Sequence, residues 1–191
     1  MSVKKMVIVD NVLPNVLHEK LLQTVLDVRN FPWYFLPDVV DSRNNKSLLN
    51  GGLFHALWEN ETPYSKISDI GLSVLLLACE KTELNFQSIY RMQTNLLLPT
   101  KEKNILSPHV DFDSVQKNDY VLVYYVNESD GDTVIYDCLS PDKFNKSNKI
   151  IKQITPKPNS AVIFDARLYH SATCPMQAKS RIVINCCFKV F

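Results

Sequence analysis

The feature that most restricts the fold is the second half of the chain, where short runs rich in Val, Ile, Tyr and Phe follow one another with only turns between them. Runs with strand composition lie at 87–98, 105–111, 120–126, 133–137, 149–154, 161–164 and 181–190. The separators carry turn chemistry: Ser129-Asp130-Gly131, Ser140-Pro141-Asp142 and Pro156-Lys157-Pro158-Asn159. No helical pattern interrupts the series. That excludes a parallel α/β sheet, whose neighbouring strands need long crossovers. A mainly β (α+β) fold is expected, with an antiparallel double sheet of jelly-roll type.

Helical patterns are confined to the first 85 residues. Leu17, Leu21, Val25 and Val28 form one apolar stripe after Leu13-Pro14, with Asp10 or Asn11 available as a cap. Thr62-Pro63 reads as the start of a second helix running to about Lys81, whose later half at 74–79 is almost continuously apolar. Both helices are expected to pack on one sheet. Between them, 30–35 is an aromatic, Pro-interrupted edge strand or loop. Residues 37–61 read as a polar irregular segment with the composition of a lid or binding loop. With no repeat and no linker, 1–191 reads as a single domain. Residues 1–85 form an N-terminal helical and loop support, and 86–191 the β core.

Composition removes some functions. The net charge is +1 with 21% charged residues, so no bulk field favours nucleic acid. The five cysteines are odd in number and form no Cys-x-x-Cys pair, which suits reduced thiols in a cytoplasmic protein better than a disulfide framework or a zinc site. The longest apolar run, 74–79, is far short of the roughly 20 residues that cross a bilayer.

The chemistry concentrates in Ser107-Pro108-His109-Val110-Asp111. On an extended segment His109 and Asp111 point to one face. His170, just past the run at 161–164, completes a two-His, one-carboxylate set if the fold brings it across. That donor set holds non-haem Fe(II) and leaves coordination positions open. Asp113 shares the face but reads as a solvated loop carboxylate, and His55 as a packing histidine. Arg181 opens the last strand with no acidic residue on that strand, and its planar fork suits the carboxylate of a bound dicarboxylate. Arg167 reads as a surface or turn residue.

Four blocks in order resemble the Fe(II)- and 2-oxoglutarate-dependent dioxygenases, in their prolyl-4-hydroxylase-like branch with a double-stranded β-helix. They are Ser107 to Asp111, Val123-Tyr124-Tyr125-Val126-Asn127, Gly131-Asp132-Thr133-Val134-Ile135-Tyr136, and Phe164 to Arg181. Asp132 stands where a second glycine is usual, and Val183 where a small residue often follows the arginine. The resemblance implies that His109, Asp111 and His170 bind iron and that Arg181 pairs with the distal carboxylate of 2-oxoglutarate. It implies that Tyr125 hydrogen-bonds that carboxylate while Tyr124 faces away, a one-residue shift of register swapping the two. Asn95 is a further candidate for cosubstrate or substrate contact. The activity implied is O2-dependent hydroxylation of an unactivated C–H bond, of a prolyl or other amino-acid side chain or a small molecule, with release of succinate and CO2.

Two other readings compete. A cupin-like metalloenzyme with a different metal would ordinarily supply more histidines than the four present. A non-catalytic β-helix binding module would have a broken triad. The substrate, whether small molecule, peptide or protein, is expected at a mouth formed by Trp33-Tyr34 and Phe54-His55-x-x-Trp58, with packing of the loop onto the barrel as the competing role for these rings. Oligomeric state is not legible in the sequence.

Overall fold

The computed structural model describes residues 6–27, 29–37, 51–112 and 114–191. In chain order the elements are β1 (Met6–Val9), α1 (Asn15–Leu26), β2 (Tyr34–Leu36), β3 (Gly52–Glu59), β4 (Thr62–Pro63) and α2 (Ser68–Thr82). There follow β5 (Phe86–Leu97), β6 (Asp119–Tyr125), β7 (Thr133–Leu139), β8 (Ile150–Ile154), β9 (Ser160–Asp165), β10 (Leu168–Ala172) and β11 (Arg181–Val190). The large sheet runs β1-β9-β6-β11-β5-β3-β2, with β4 attached to β3, and the small sheet runs β10-β7-β8. Every pairing among these strands is antiparallel. The chain is thus mainly β with two helices, in a jelly-roll-like arrangement.

The period of two along each strand divides the large sheet into two faces. One carries Leu122, Tyr124, Ile163, Ile184 and Phe188, which share a buried cluster with Leu21 and Val25 of α1 and Val74, Leu75 and Ala78 of α2. Full burial of each such side chain stabilises by roughly 1.5–3 kcal/mol. Gly71 of α2 is a point of close approach: a Cβ there would lie 2.6 Å from Met92 Sδ and 3.0 Å from a Leu57 methyl. The other face carries Val121, Val123, Tyr125, Val183 and Cys187, clustered with Ile135 of the small sheet. The site lies on this inner face.

Several expectations needed correction. The second helix starts at Ser68, not at Thr62-Pro63, which forms the short strand β4 against Trp58 and Glu59. The helix-start signature was locally valid, but sheet pairing took those residues first. Residues 52–59, expected as irregular, form a strand between β5 and β2. The rest of the expected lid, 38–50, lies outside the described residues, as do Val28 and Asp113. Of the strand expected at 105–111, only isolated bridges form, Ile105 to Thr173 and His109 to His170.

Neither Asp10 nor Asn11 caps α1, whose preceding residue is Pro14 with no side-chain cap. The entry to α1 is held from a distance by Asn159. Its carbonyl accepts from Val12 N–H at 3.0 Å, and its side chain accepts from Leu13 N–H and donates to Leu13 O, both at 2.8 Å.

Candidate metal centre

The centre begins with a two-residue backbone contact between strand β10 and the loop after β5. His109 N–H donates to His170 O and His170 N–H to His109 O, each at 2.9 Å. A reciprocal pair of this kind puts both side chains on one face, and the two imidazole centroids lie 4.6 Å apart. Asp111, two residues on, joins them. One ligand atom from each of His109, Asp111 and His170 lies within 4.8 Å of the others, a set that could hold a metal ion.

Each ring has a defined orientation. His109 Nδ1 donates to Ser107 O at 3.0 Å and His170 Nδ1 to Leu168 O at 3.1 Å. A carbonyl only accepts, so the proton sits on Nδ1 and the lone pair on Nε2. Burial, and then the facing His170 ring, push the His109 imidazole down to about 4, so it is neutral at ordinary pH. Burial alone would raise the Asp111 carboxyl. The His170 ring, when it carries a proton on Nε2, and the Arg91 guanidinium outweigh it and hold the group well below the usual carboxylate range.

The strongest sign that these groups bind a ligand is what they leave unpaired. Asp111 Oδ1 accepts from Arg91 Nη2 at 2.9 Å and from Asn185 Nδ2 at 3.3 Å. Among the described residues Asp111 Oδ2 and His170 Nε2 are buried with no hydrogen-bond partner, although only 3.4 Å apart. Unpaired buried polar atoms are rare and each calls for an explanation. Two imidazole nitrogens and one carboxylate oxygen suit non-haem Fe(II), so the residues present fit that ion.

The cleft above these groups has a volume of about 610 Å³, its open mouth included. Arg181 lies at its inner end. Its Nε donates to Gly131 O and its Nη2 to Thr133 Oγ1, both at 2.8 Å. Tyr125 O–H also donates to Thr133 Oγ1, at 2.8 Å. With two donors on its oxygen, the Thr133 hydroxyl has its own proton free to donate. Burial lowers the affinity of Arg181 for its proton and pushes the Tyr125 phenol up to about 12. Among the described residues no carboxylate lies within ion-pairing distance of Arg181.

Other candidates sort plainly. Asn95 lines the cleft, whereas Tyr125 sits behind Thr133 rather than in the lining. Tyr124 points to the opposite face, its hydroxyl against His18 Nδ1 at 2.7 Å. Arg167 is bound two-pronged by Asp165, at 2.9 and 2.6 Å, as a turn residue. His55 is a packing histidine between Pro32 O and Ser65 Oγ.

Neither tryptophan lines the cleft. The Trp58 indole donates to Ser68 O and the Trp33 indole to Val25 O, each at 3.1 Å, and both rings pack on the helix-side cluster. Among the described residues the cleft is lined by other side chains, and these rings lie on the helix side. Sequence reasoning missed Arg91, Gln93, Thr133 and Asn185, all lining residues. The alternation of Arg91, Gln93 and Asn95 along one strand was the available signal, since a face of the core that is polar at every second position needs a reason.

Two neighbours of Arg181 give testable effects. A Cβ on Gly131 would lie 2.7 Å from Thr173 O and 2.9 Å from Arg181 Cδ. Gly131→Ala should therefore displace Arg181 and lower stability by roughly 1–3 kcal/mol, measured by urea denaturation. Asp130 accepts from the N–H groups of Met176, Gln177 and Ala178 at 2.9–3.0 Å, tying down the loop that leads to Arg181. Those bonds, Ala178 foremost, hold its pKa down to about 2. A lowered carboxyl pKa adds stability above the unfolded value near 4 and loses it as pH falls towards 2. Asp130→Ala should cost about 1 kcal/mol at pH 7, as for a lost helix cap. The gap to the parent should close between about pH 4 and pH 2, followed by thermal unfolding.

Comparison with known proteins agrees with this geometry. The profile of the 2OG-Fe(II) oxygenase superfamily matches residues 93–189. No curated protein sequence matches the chain. Among solved structures, a Pseudomonas putida prolyl-4-hydroxylase aligns over 97% of this chain and 92% of its own, with 14% identity and a TM-score of 0.61. A prolyl hydroxylase from Trichoplax adhaerens, in complex with a hypoxia inducible factor oxygen degradation domain peptide fragment, aligns over 97% and 84%, with 16% identity and a TM-score of 0.63. The epimerase SnoN, in complex with Fe3+, alpha ketoglutarate and nogalamycin RO, aligns over 98% and 79%, with 13% identity and a TM-score of 0.62. At such identities these neighbours speak for the fold, while the profile match spans half of the chain and contains every group of the inner cleft from Gln93 to Asn185. The chain belongs to the 2OG-Fe(II) oxygenase superfamily and is a 2-oxoglutarate- and Fe(II)-dependent oxygenase.

Proposed function

We propose that His109 and His170, through Nε2, and Asp111, through Oδ2, hold the Fe(II), and that Arg181 and Thr133 receive the distal carboxylate of 2-oxoglutarate. The observation that carries this reading is the pair of buried, unpartnered atoms Asp111 Oδ2 and His170 Nε2 beside a neutral His109. When bound, iron, 2-oxoglutarate and O2 supply the oxidising power: one oxygen atom enters the substrate C–H bond as hydroxyl, the other enters succinate, and CO2 leaves. The protein's share is positional. The carbonyls of Ser107 and Leu168 fix both rings, and Arg91 and Asn185 hold Asp111 by Oδ1 so that Oδ2 faces the histidines. Arg181 offers a fixed charge, and Thr133 a hydroxyl proton, at the inner end of the cleft.

The reading places the chain in the prolyl-4-hydroxylase-like branch, acting on an amino-acid side chain, prolyl or other, or on a small molecule. Residues 86–191 form the double-stranded β-helix core, and the two helices support its large sheet. Among the described residues no helix is long and apolar enough to cross a membrane. The five cysteines are free and buried, which suits a reducing compartment such as the cytoplasm.

The test is thermal unfolding of the metal-free protein with Fe(II) and 2-oxoglutarate under nitrogen. A ligand at one hundred times its Kd stabilises by about 2.7 kcal/mol, so the midpoint should rise with Fe(II) and again with 2-oxoglutarate. An unchanged midpoint with both present contradicts the assignment.

A further inference from the structure

A polar wall stands beside the metal centre, and the roles assigned so far use only part of it. Arg91, Gln93 and Asn95 alternate along β5 and all line the cleft, and Asn185 of β11 lies opposite Gln93 in register. Arg91 spends Nη2 on Asp111 and leaves 39% of its side-chain surface exposed, with Nε and Nη1 unbonded among the described residues. Gln93 Nε2 donates to Asn95 Oδ1 at 2.8 Å, which leaves Gln93 Oε1 and Asn95 Nδ2 for another partner. Asn185 gives Nδ2 to Asp111, and its Oδ1 is buried with no partner among the described residues.

The spacing of these groups specifies a chemistry. Arg91 Nη2 and Asn185 Nδ2 reach the same oxygen, Asp111 Oδ1, so the guanidinium and the amide sit side by side. A cation next to an orphaned acceptor asks for an anion next to a donor. A carboxylate with an N–H or O–H on the neighbouring carbon has that form, and the guanidinium fork matches a carboxylate. An apolar occupant would leave the wall unpaired, and sites built to hydrogen-bond discriminate most strongly against partners that cannot.

We propose that the Arg91–Gln93–Asn95–Asn185 wall is the substrate subsite and takes a small molecule with a free carboxylate beside an N–H or O–H, an α-amino or α-hydroxy acid. An internal residue of a peptide has lost the carboxylate to an amide bond and does not satisfy it. The proposal rests on the metal-centre assignment above.

The test uses the protein loaded with Fe(II) and 2-oxoglutarate in air, and reads succinate formed above the substrate-free background. The probes are free L-amino acids, the corresponding 2-hydroxy acids, the same side chains as N-acetyl amides, and proline-containing peptides with amidated C-termini. Free acids should raise succinate formation, and capping should reduce the effect by at least about tenfold. Gln93→Leu should raise the KM for the active acid more than it lowers kcat. Capped compounds or peptides that stimulate as well as the free acids would overturn the proposal, as would a steady background that no probe raises. A missing background and no iron uptake would instead overturn the metal-centre assignment, and the subsite with it.

Discussion

Alanine at Asp111 is expected to abolish stoichiometric Fe(II) uptake and 2-oxoglutarate turnover together, while the protein stays folded. Changing a group that merely orients a ligand typically weakens a metal site by about 10–100-fold. Asp111 is itself a proposed ligand, with one oxygen buried and unpartnered, so its removal should exceed that range. Folding should survive for a separate reason. The ion partner that Asp111 leaves behind, Arg91, has 39% of its side-chain surface exposed, so water can take over its solvation. The stability loss should be near the 1 kcal/mol typical of accessible ion pairs. Metal content after gel filtration and circular dichroism separate the two effects, and His170→Ala should behave alike. Iron bound as tightly as by the parent in both variants would remove the triad from consideration.

Lysine at Arg181 is expected to weaken 2-oxoglutarate binding to the Fe(II)-loaded protein by roughly 10- to 150-fold. The substitution keeps a positive charge but loses the fork that bonds Gly131 O and Thr133 Oγ1. Charged hydrogen bonds contribute roughly 1.5–3 kcal/mol, which is that range of affinity. Thr133 matters to the argument because Arg181 and Tyr125 both donate to it, so the loss of one partner loosens the other. Calorimetric titration under nitrogen measures the change. An unchanged affinity would move the carboxylate elsewhere, and Arg167 could not take it, being already engaged with Asp165.

Much of the large sheet was legible because its strands are rich in β-branched and aromatic residues and are separated by turn residues. The segments 120–126 and 181–190 are almost continuously apolar and buried on both faces, so strand geometry, with neighbours on opposite sides, and not an apolar pattern, divides Tyr124 from Tyr125. The helix start at Ser68 was not legible. Thr62-Pro63 carries a strong local signal, and only its pairing with Trp58 and Glu59, the other arm of a tight hairpin, turns it into a sheet edge. His170 was visible as a residue but not as part of a strand. Leu168–Ala172 is short, carries a register shift, and is defined by its pairing with β7.

Arg91 and Asn185 escaped for a similar reason. Nothing within their own strands announces a carboxylate partner, and Asp111 reaches them only through the loop that follows β5. The tryptophans show how one local signal serves two roles. Large rings on a Pro- and Gly-containing segment look like a mouth, yet each indole N–H is satisfied by a backbone carbonyl of the helical layer.

The proposed iron site of His109, Asp111 and His170 couples O2 to 2-oxoglutarate. The most direct measurement is succinate released from labelled 2-oxoglutarate in air, by metal-stripped protein before and after Fe(II) is added back. Slow succinate and CO2 formation is expected even without substrate, dependent on Fe(II) and O2 and absent in Asp111→Ala. Folded, iron-loaded protein that forms no succinate with any probe, or Asp111→Ala protein that forms it at the parent rate, would contradict it.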